Sequence, residues 1–337
     1  MSKKIILVIT DNTKDQINGV VTTFKNLEAY AILDDYTIVY LTPLQFLHVN
    51  CPGYSEVKLA FPWNIGKKIK EISPNYIHIA TEGPLGVCAR LYLDLRGYRY
   101  NTSYHTKFPE FLKKMYHIPE FITWWYLRWF HKHSGIVLTN TTTMVNELRQ
   151  NGFVGGIIPW TRGVNRDELQ PTQAWQHPNP RPLILYVGRV SLEKNIDAVC
   201  KLVDTYDVVI VGDGPDRKRL EQEYSGCQFV GYKTGQELAD WYSRADVLAF
   251  PSRVDTFGLV MIESMSLGTP VAAYPVAGPK DIIKQGVSGY MSERLRDAVE
   301  ICLHIPRSRV IADSERWSWE LCWIIFRNNL VDLNRVH

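Results

Sequence analysis

Residues 249–271 read AFPSRVDTFGLVMIESMSLGTPV, and this stretch decides the fold. With Val247 and Leu248, the residues Ala249 and Phe250 make a short apolar run that fits a strand buried in a parallel sheet. Pro251 and Ser252 end it. Leu259, Val260, Ile262 and Met265 then recur at helical spacing, which predicts a helix starting near Gly258. A glycine there lets another molecule approach the backbone, and the first N–H groups of a helix favour an anion. Asp255 stands in the loop before this helix and Glu263 inside it, eight residues on. Anion-binding amides between two hydroxyl-binding carboxylates suit a sugar joined to a phosphate. Read alone, the segment also fits an ordinary strand–helix unit with two solvated acids.

Working outward, residues 183–187 form another apolar strand, followed by Gly188-Arg189-Val190-Ser191-Leu192-Glu193-Lys194 and a helix. This order sets Arg189 and Lys194 near one anion, where fixed cations act on charge that develops as a bond breaks. The strand 208–211 ends in Gly212-Asp213-Gly214, and residues 229–233 read as a strand and turn carrying Gly231 and Tyr232. A helix over 237–245 leads back to the opening stretch. At the other end of the chain, residues 3–10 are strand-like and run through Asn18-Gly19 into a helix over 20–31, the opening of a doubly wound α/β unit. Gly19 fits a phosphate contact or a plain turn glycine equally. Strands over 37–41 and 76–79, a short basic helix over 65–72 and a helix over 83–96 follow. A polar strand then ends at His105, on the side where open α/β sheets collect ligands. Residues 135–139 and 157–163 read as strands, 142–151 as a helix, and the prolines of 168–182 as a linker.

Residues 108–134 combine Phe108, Phe111, Tyr116, Phe121, Trp124, Trp125, Tyr126, Trp129 and Phe130 with Lys113, Lys114, Arg128 and Lys132, just after Lys107. Such a mixture suits a membrane interface. Trp125 and Trp129, four apart, also suit the core face of a helix. Both are expected to hold, with Trp125 and Trp129 inward and the Lys113–Lys114 region exposed.

The chain of 337 residues is long enough for two domains. The first 165 residues carry 18 lysines and arginines against 12 acids, the remainder 20 against 23, so the basic half suits an anionic surface. A net charge of +3 with no basic stripe argues against a nucleic-acid partner. The 6 cysteines are scattered without C-x-x-C spacing, which suits reduced thiols in the cytoplasm. The apolar run at 5–9 is too short for a signal-peptide core and no segment suits a membrane span. Nothing signals a catalytic Ser-His-Asp set, zinc spacing, a D-x-D metal motif or a dinucleotide fingerprint, so neither metal nor cofactor is expected.

The stretch 249–271, the block around Arg189 and Lys194, the string His105-Thr106-Lys107-Phe108-Pro109-Glu110 and the Arg162-Gly163-Val164-Asn165 block resemble the retaining glycosyltransferases of family 4. GDP-mannose-dependent mannosyltransferases and bacterial diacylglycerol glycosyltransferases are among those it is similar to. The resemblance implies the GT-B architecture, with two Rossmann-like doubly wound domains facing across a cleft. These would be an acceptor domain over 1–165, a linker over 166–182, a nucleotide-sugar domain over 183–315 and a terminal helix over 316–337 crossing back. It implies catalytic roles for His105, Arg189, Lys194 and Asp255. Donor contacts would come from Gly19, Gly188, Gly212, Gly231, Tyr232, Phe257, Gly258, Leu259 and Glu263, with Asp255 on the hexose and Glu263 on the ribose. Lys107, Phe108, Lys113 and Lys114 would face the acceptor or membrane. This chain has Asp255 where most of the family has Glu, one C–C bond longer, which bears on hexose preference.

The activity implied is transfer of a hexose from a UDP- or GDP-sugar to a lipid or glycolipid hydroxyl such as that of diacylglycerol. The enzyme would sit peripherally on the inner leaflet. A mannosyltransferase using GDP-mannose, a UDP-sugar epimerase of the same fold and a non-catalytic sugar-binding protein are the alternatives. The Asp255/Glu263 block argues against the epimerase.

Overall fold

The run KIILVI forms β1 (Lys4–Ile9), and its residues Ile6, Leu7, Val8 and Ile9 are fully buried because helices cover both faces of the sheet it joins. A computed structural model describes residues 3–16, 18–51, 54–172 and 181–333. The further strands are β2 (Tyr36–Leu41), β3 (Leu47–Cys51), β4 (Tyr54–Phe61), β5 (Tyr76–Ile79), β6 (Asn101–Tyr104), β7 (Ile136–Thr139) and β8 (Gly156–Pro159). They continue with β9 (Leu183–Val187), β10 (Asp207–Val211), β11 (Gln228–Gly231), β12 (Val247–Phe250), β13 (Val271–Ala273) and β14 (Gly289–Met291). The chain divides into two compact units, Met1–Arg162 with Trp319–His337, and Gly163–Ser318. The sequence sets this boundary at residue 165. Of the linker expected over 166–182, residues 173–180 lie outside the described residues.

The first unit holds a parallel sheet of order β2-β1-β5-β6-β7-β8. Alternate residues of the strands face opposite sides. Leu7, Ile9, Ile77 and Ile79 pack with Phe46, Ala60, Ile65, Ile69, Leu85, Ala89, Leu93 and Phe130. One face is therefore covered by the β3–β4 ribbon and by helices Ile65–Ile72, Pro84–Arg96 and Glu120–His131. On the other face, helices Gly19–Leu33 and Trp319–Asn328 meet. There Phe326 stacks on Trp160 at 5.0 Å and lies 5.8 Å from Phe24, and Trp323 donates to Asp34 at 2.6 Å.

The second unit holds a parallel sheet of order β11-β10-β9-β12-β13-β14, the Rossmann strand order. Its order reverses between β9 and β12, which leaves a crevice outside the carboxyl ends of those two strands. The loops that follow them carry Gly188 to Lys194 and Pro251 to Gly258.

The antiparallel ribbon β3–β4 is an addition the sequence reading lacks. Residues 108–134 form two helices, Phe108–Tyr116 and Glu120–His131, parted at His117 with φ +56°. Of the expected inward pair, Trp129 packs against the core and the inward placement of Trp125 is corrected. Thr123, Trp124, Leu127, Phe130 and His131 make the buried face, whereas Trp125 is 63% exposed. The heavier aromatic spacing misled the reading, because the core side follows i, i+3, i+4 from residue 123.

Candidate active site

In the second unit the elements converge on the crevice. β9 ends at Gly188, and Arg189 is exposed at the sheet edge, its carbonyl accepting from the Tyr186 hydroxyl at 2.9 Å. A 3₁₀ turn, Leu192–Lys194, brings the Lys194 Nζ to 2.6 Å from Asp255 Oδ1, in the loop after β12. The two side chains come from loops on either side of the strand-order reversal and are joined across it. Burial pushes the Asp255 carboxyl up, but the Lys194 charge and hydrogen bonds from Lys194 and Ser252 outweigh it and hold it below the usual carboxylate range. Lys194 and Asp255 are 22% and 26% exposed, so the pair is reachable from solvent yet poorly hydrated.

Gly258 caps helix Leu259–Ser266 at φ +94°, where a Cβ would meet the Phe250 ring at 2.8 Å. That packing, with the left-handed backbone, explains the glycine. Phe257 is buried against Trp317 (5.5 Å, edge to face), so its ring anchors the loop and its backbone alone faces outward chemistry. Glu263 stands apart from the Lys194–Asp255 pair and accepts from the Tyr242 hydroxyl at 2.9 Å. Burial pushes its carboxyl up, against that hydrogen bond. The loops after β9, β10 and β11 are laced edge to edge. The Gly188 amide donates to Val211 at 3.0 Å and the Gly212 amide to Gly231 at 2.9 Å. A Cβ at Gly212, φ +137°, would lie 1.9 Å from the Gly188 carbonyl oxygen, so only glycine lets these loops touch. Tyr232 projects from the next position, exposed.

In the first unit His105 follows β6. Its Nδ1 lies 3.1 Å from Asn140 Oδ1, after β7, and 3.2 Å from Arg162 Nη2, after β8. Arg162 Nη2 also donates to Asn140 Oδ1 at 2.6 Å, and its Nη1 to the Trp160 and Thr161 carbonyls at 2.7 and 2.9 Å. Three adjacent strand ends thus supply one polar cluster. An arginine can only donate, so it fixes which end of the Asn140 amide is oxygen. Burial and then the Arg162 charge hold the His105 ring well below its usual pKa, so it is neutral. Burial lowers Arg162 itself to about 10.

Gly19 opens helix Gly19–Leu33, and Asn18 Oδ1 accepts from the Val20 and Val21 amides at 3.0 Å each. A Cβ at Gly19 would meet nothing within 4 Å, so packing does not demand the glycine. Lys107 is bound by Glu147 at 2.8 Å and Glu110 at 3.2 Å, which removes it from the positive surface. Phe108 starts helix Phe108–Tyr116 half-buried; Lys113, paired to Glu120 at 2.8 Å, and Lys114 are exposed. Sequence reasoning missed Asn140 and Tyr242, and quoted Arg162 in the block 162–165 without giving it a site role. A charged residue directly after a strand was the available signal for Arg162. Tyr242 sits mid-helix with nothing local to mark it.

Residues 20–168 match the family "Glycosyltransferase Family 4" and residues 169–304 match "Glycosyl transferases group 1", together covering most of the chain. The chain is a glycosyltransferase. It is 26% identical to sulfoquinovosyl transferase SQD2 of Arabidopsis thaliana, over 97% of this glycosyltransferase and 73% of that relative. It is 28% identical to a GDP-mannose-dependent alpha-mannosyltransferase of Corynebacterium glutamicum, over 81% and 68%. The fold matches sucrose-phosphate synthase from Thermosynechococcus elongatus with a TM-score of 0.78 at 17% identity, over 97% of this chain and 98% of that one. It also matches Anabaena Alr3699/HepE in complex with UDP-glucose, at 0.71 and 14%, over 96% and 98%. This glycosyltransferase is accordingly a hexosyltransferase of the GT-B fold.

Proposed function

We propose that the enzyme is a retaining transferase that moves a hexose from a UDP- or GDP-sugar to the hydroxyl of a membrane lipid such as diacylglycerol. The Lys194–Asp255 pair at the strand-order reversal carries this reading. On it, Lys194 and Arg189 meet the diphosphate, with the helix start at Leu259 beside it. Asp255 accepts from the hexose hydroxyls and Glu263 from the ribose. The anomeric C–O bond to phosphate breaks while the acceptor oxygen bonds the same face of that carbon. The departing phosphate oxygen takes the acceptor's proton, so the chemistry asks for cations rather than a protein base.

The lipid side is supported by Phe121 and Trp125, exposed on helix Glu120–His131. Trp125, Arg128, Trp129, Lys132, Phe153 and Val154 also line an open groove of about 380 Å³. No helix among the described residues is long and apolar enough to cross a membrane. A peripheral enzyme on the inner leaflet fits the exposed aromatics and bases. A second reading, a mannosyltransferase using GDP-mannose, is favoured by the names of two similar relatives.

The test is transfer from radiolabelled UDP- and GDP-hexoses to a lipid extract, with and without EDTA. Labelled glycolipid of retained anomeric configuration, formed equally in EDTA, is the expected product. Inverted product, transfer confined to water-soluble acceptors, or activity restored only by Mg²⁺ or Mn²⁺ would each overturn part of the reading.

A further inference from the structure

Large apolar side chains are exposed mainly in the first unit: all but Leu192, Tyr232, Ile301 and Ile311 belong to it. Several lie on the layer that covers the Leu7/Ile77 face of the sheet. In the β3–β4 ribbon, Leu47 pairs with Phe61 and Val49 with Leu59 across the strands. These pairs share one face, since side chains alternate. The opposite face carries Ala60, which is buried in the core. The outward face is apolar: Leu47 is 65% and Phe61 51% exposed, and Trp63 just beyond is 73% exposed. The next helix of the same layer, Pro84–Arg96, exposes Leu91 and Leu95, and the third, Glu120–His131, exposes Phe121 and Trp125. The Ala60 face of the ribbon also carries His48 and Asn50, which are exposed, so the ribbon is anchored at its Ala60 end, and the large apolar side chains it exposes are not a stable arrangement in water alone.

The charges say what covers it. Three carboxylates there are engaged by bases: Glu71 with Lys67 at 3.9 Å, Asp94 with Arg90 at 3.2 Å, and Glu120 with Lys113 of the neighbouring helix at 2.8 Å. Lys70 and Lys132 then add positive charge to the same layer, and Lys114 adds it on the helix packed beside Glu120–His131. Exposed Trp and Phe among lysines match the headgroup region of an anionic bilayer.

We propose that the β3–β4 ribbon with Trp63 is a second membrane-docking element, and that the layer shared with helix Glu120–His131 lies against an anionic lipid bilayer. This goes beyond the lipid-acceptor reading, which concerns what is glycosylated, by fixing which face of the first unit meets the membrane. The test needs neither donor nor acceptor. Co-sedimentation is measured with vesicles of equimolar phosphatidylcholine and phosphatidylglycerol and with pure phosphatidylcholine, for wild type, Phe61→Gln/Trp63→Gln and Trp125→Gln. Both replaced ribbon side chains are exposed, so an unchanged melting temperature is expected and serves as the folding control.

The ribbon variant is expected to bind mixed vesicles roughly tenfold or more weakly than wild type, and wild type to bind pure phosphatidylcholine comparably weakly. Backbone hydrogen exchange over residues 58–63 is expected to slow on vesicle addition. Wild-type binding by the ribbon variant without protection at 58–63 overturns the proposal. So does a dimer, formed without vesicles and abolished by the ribbon substitutions, because a second copy would then cover the face. Loss of lipid transfer with vesicle binding intact would count against the acceptor reading and leave the docking face standing.

Discussion

The Lys194 ammonium and the Asp255 carboxylate neutralise each other at 2.6 Å, so removing one leaves the other poorly hydrated and without its counter-charge. Lys194→Ala and Arg189→Ala are each expected to lower turnover by roughly 10²-fold, since each removes a preorganised cation from the leaving group. In Lys194→Met/Asp255→Asn the stability losses should fall short of the summed single losses by roughly 1 kcal/mol, read from urea unfolding. Simple additivity would mean that the pair is not coupled. Asp255 and Glu263 should also fail differently. Glu263, held by Tyr242 and assigned to the ribose, should show its loss in Glu263→Gln as a higher KM for every hexose with the same nucleotide. Asp255→Asn should lower kcat by factors that differ among glucose, galactose and mannose donors, and Asp255→Glu should shift hexose preference alone. Paired kcat and KM values settle it; equal effects on all hexoses contradict the assignment.

At the scale of elements, β5 and β6 bury two neutral histidine rings. His78 is lowered to about 3 by burial and then by Arg162, and His105 is held low by the same two causes, with His78 and His131 adding smaller effects of the same sign. The sign follows directly. Above the unfolded value of about 6.5, neither state holds the proton and the histidines contribute nothing to pH dependence. As pH falls below it, the unfolded chain binds protons that the native chain refuses. Stability is then lost by up to about 1.4 kcal/mol per pH unit for each ring until the folded value is passed. The slope of unfolding free energy between pH 6.5 and 5 should therefore be shallower in His78→Gln than in wild type. An unchanged slope would mean that His78 already carries its proton in the native state.

The elements also show what the sequence could and could not say. Runs such as LILYV at β9 and VLAF at β12 are legible because a strand covered on both faces must be apolar throughout. The Lys194 and Asp255 loops were legible for a related reason: chemistry in a parallel sheet collects where strands end. The β3–β4 ribbon was legible too, since Leu47-His48-Val49-Asn50 and Val57-Lys58-Leu59 alternate apolar and polar residues, but the reading passed over both short runs. Trp125 was read inward from its spacing of four to Trp129, but the buried face runs through Trp124 and Leu127 instead. The Arg162–Asn140–His105 cluster joins three strand ends far apart in sequence, and only the strand order brings them together.

At the scale of the whole molecule, the helix Trp319–Asn328 closes the first unit although the entire second unit precedes it in the chain. Its Trp323 is 2% exposed and meets Tyr36 edge to face at 5.5 Å. Trp323→Ala should cost the first unit about 3–5 kcal/mol and leave hydrogen-exchange protection in the second unless the two unfold as one. Protection lost equally in both units would show a single cooperative molecule, and no loss in either would mean that the helix is dispensable to the core.

That arrangement sets the order in which a nascent chain can be finished. The strands and helices before Arg162 leave the ribosome before the second unit, yet Phe24, His78 and Trp160 have no cover from Phe326 until that whole unit has followed. The second unit has all of its own strands and helices before that last helix emerges, so its elder neighbour waits, one wall short, until the second unit has been made.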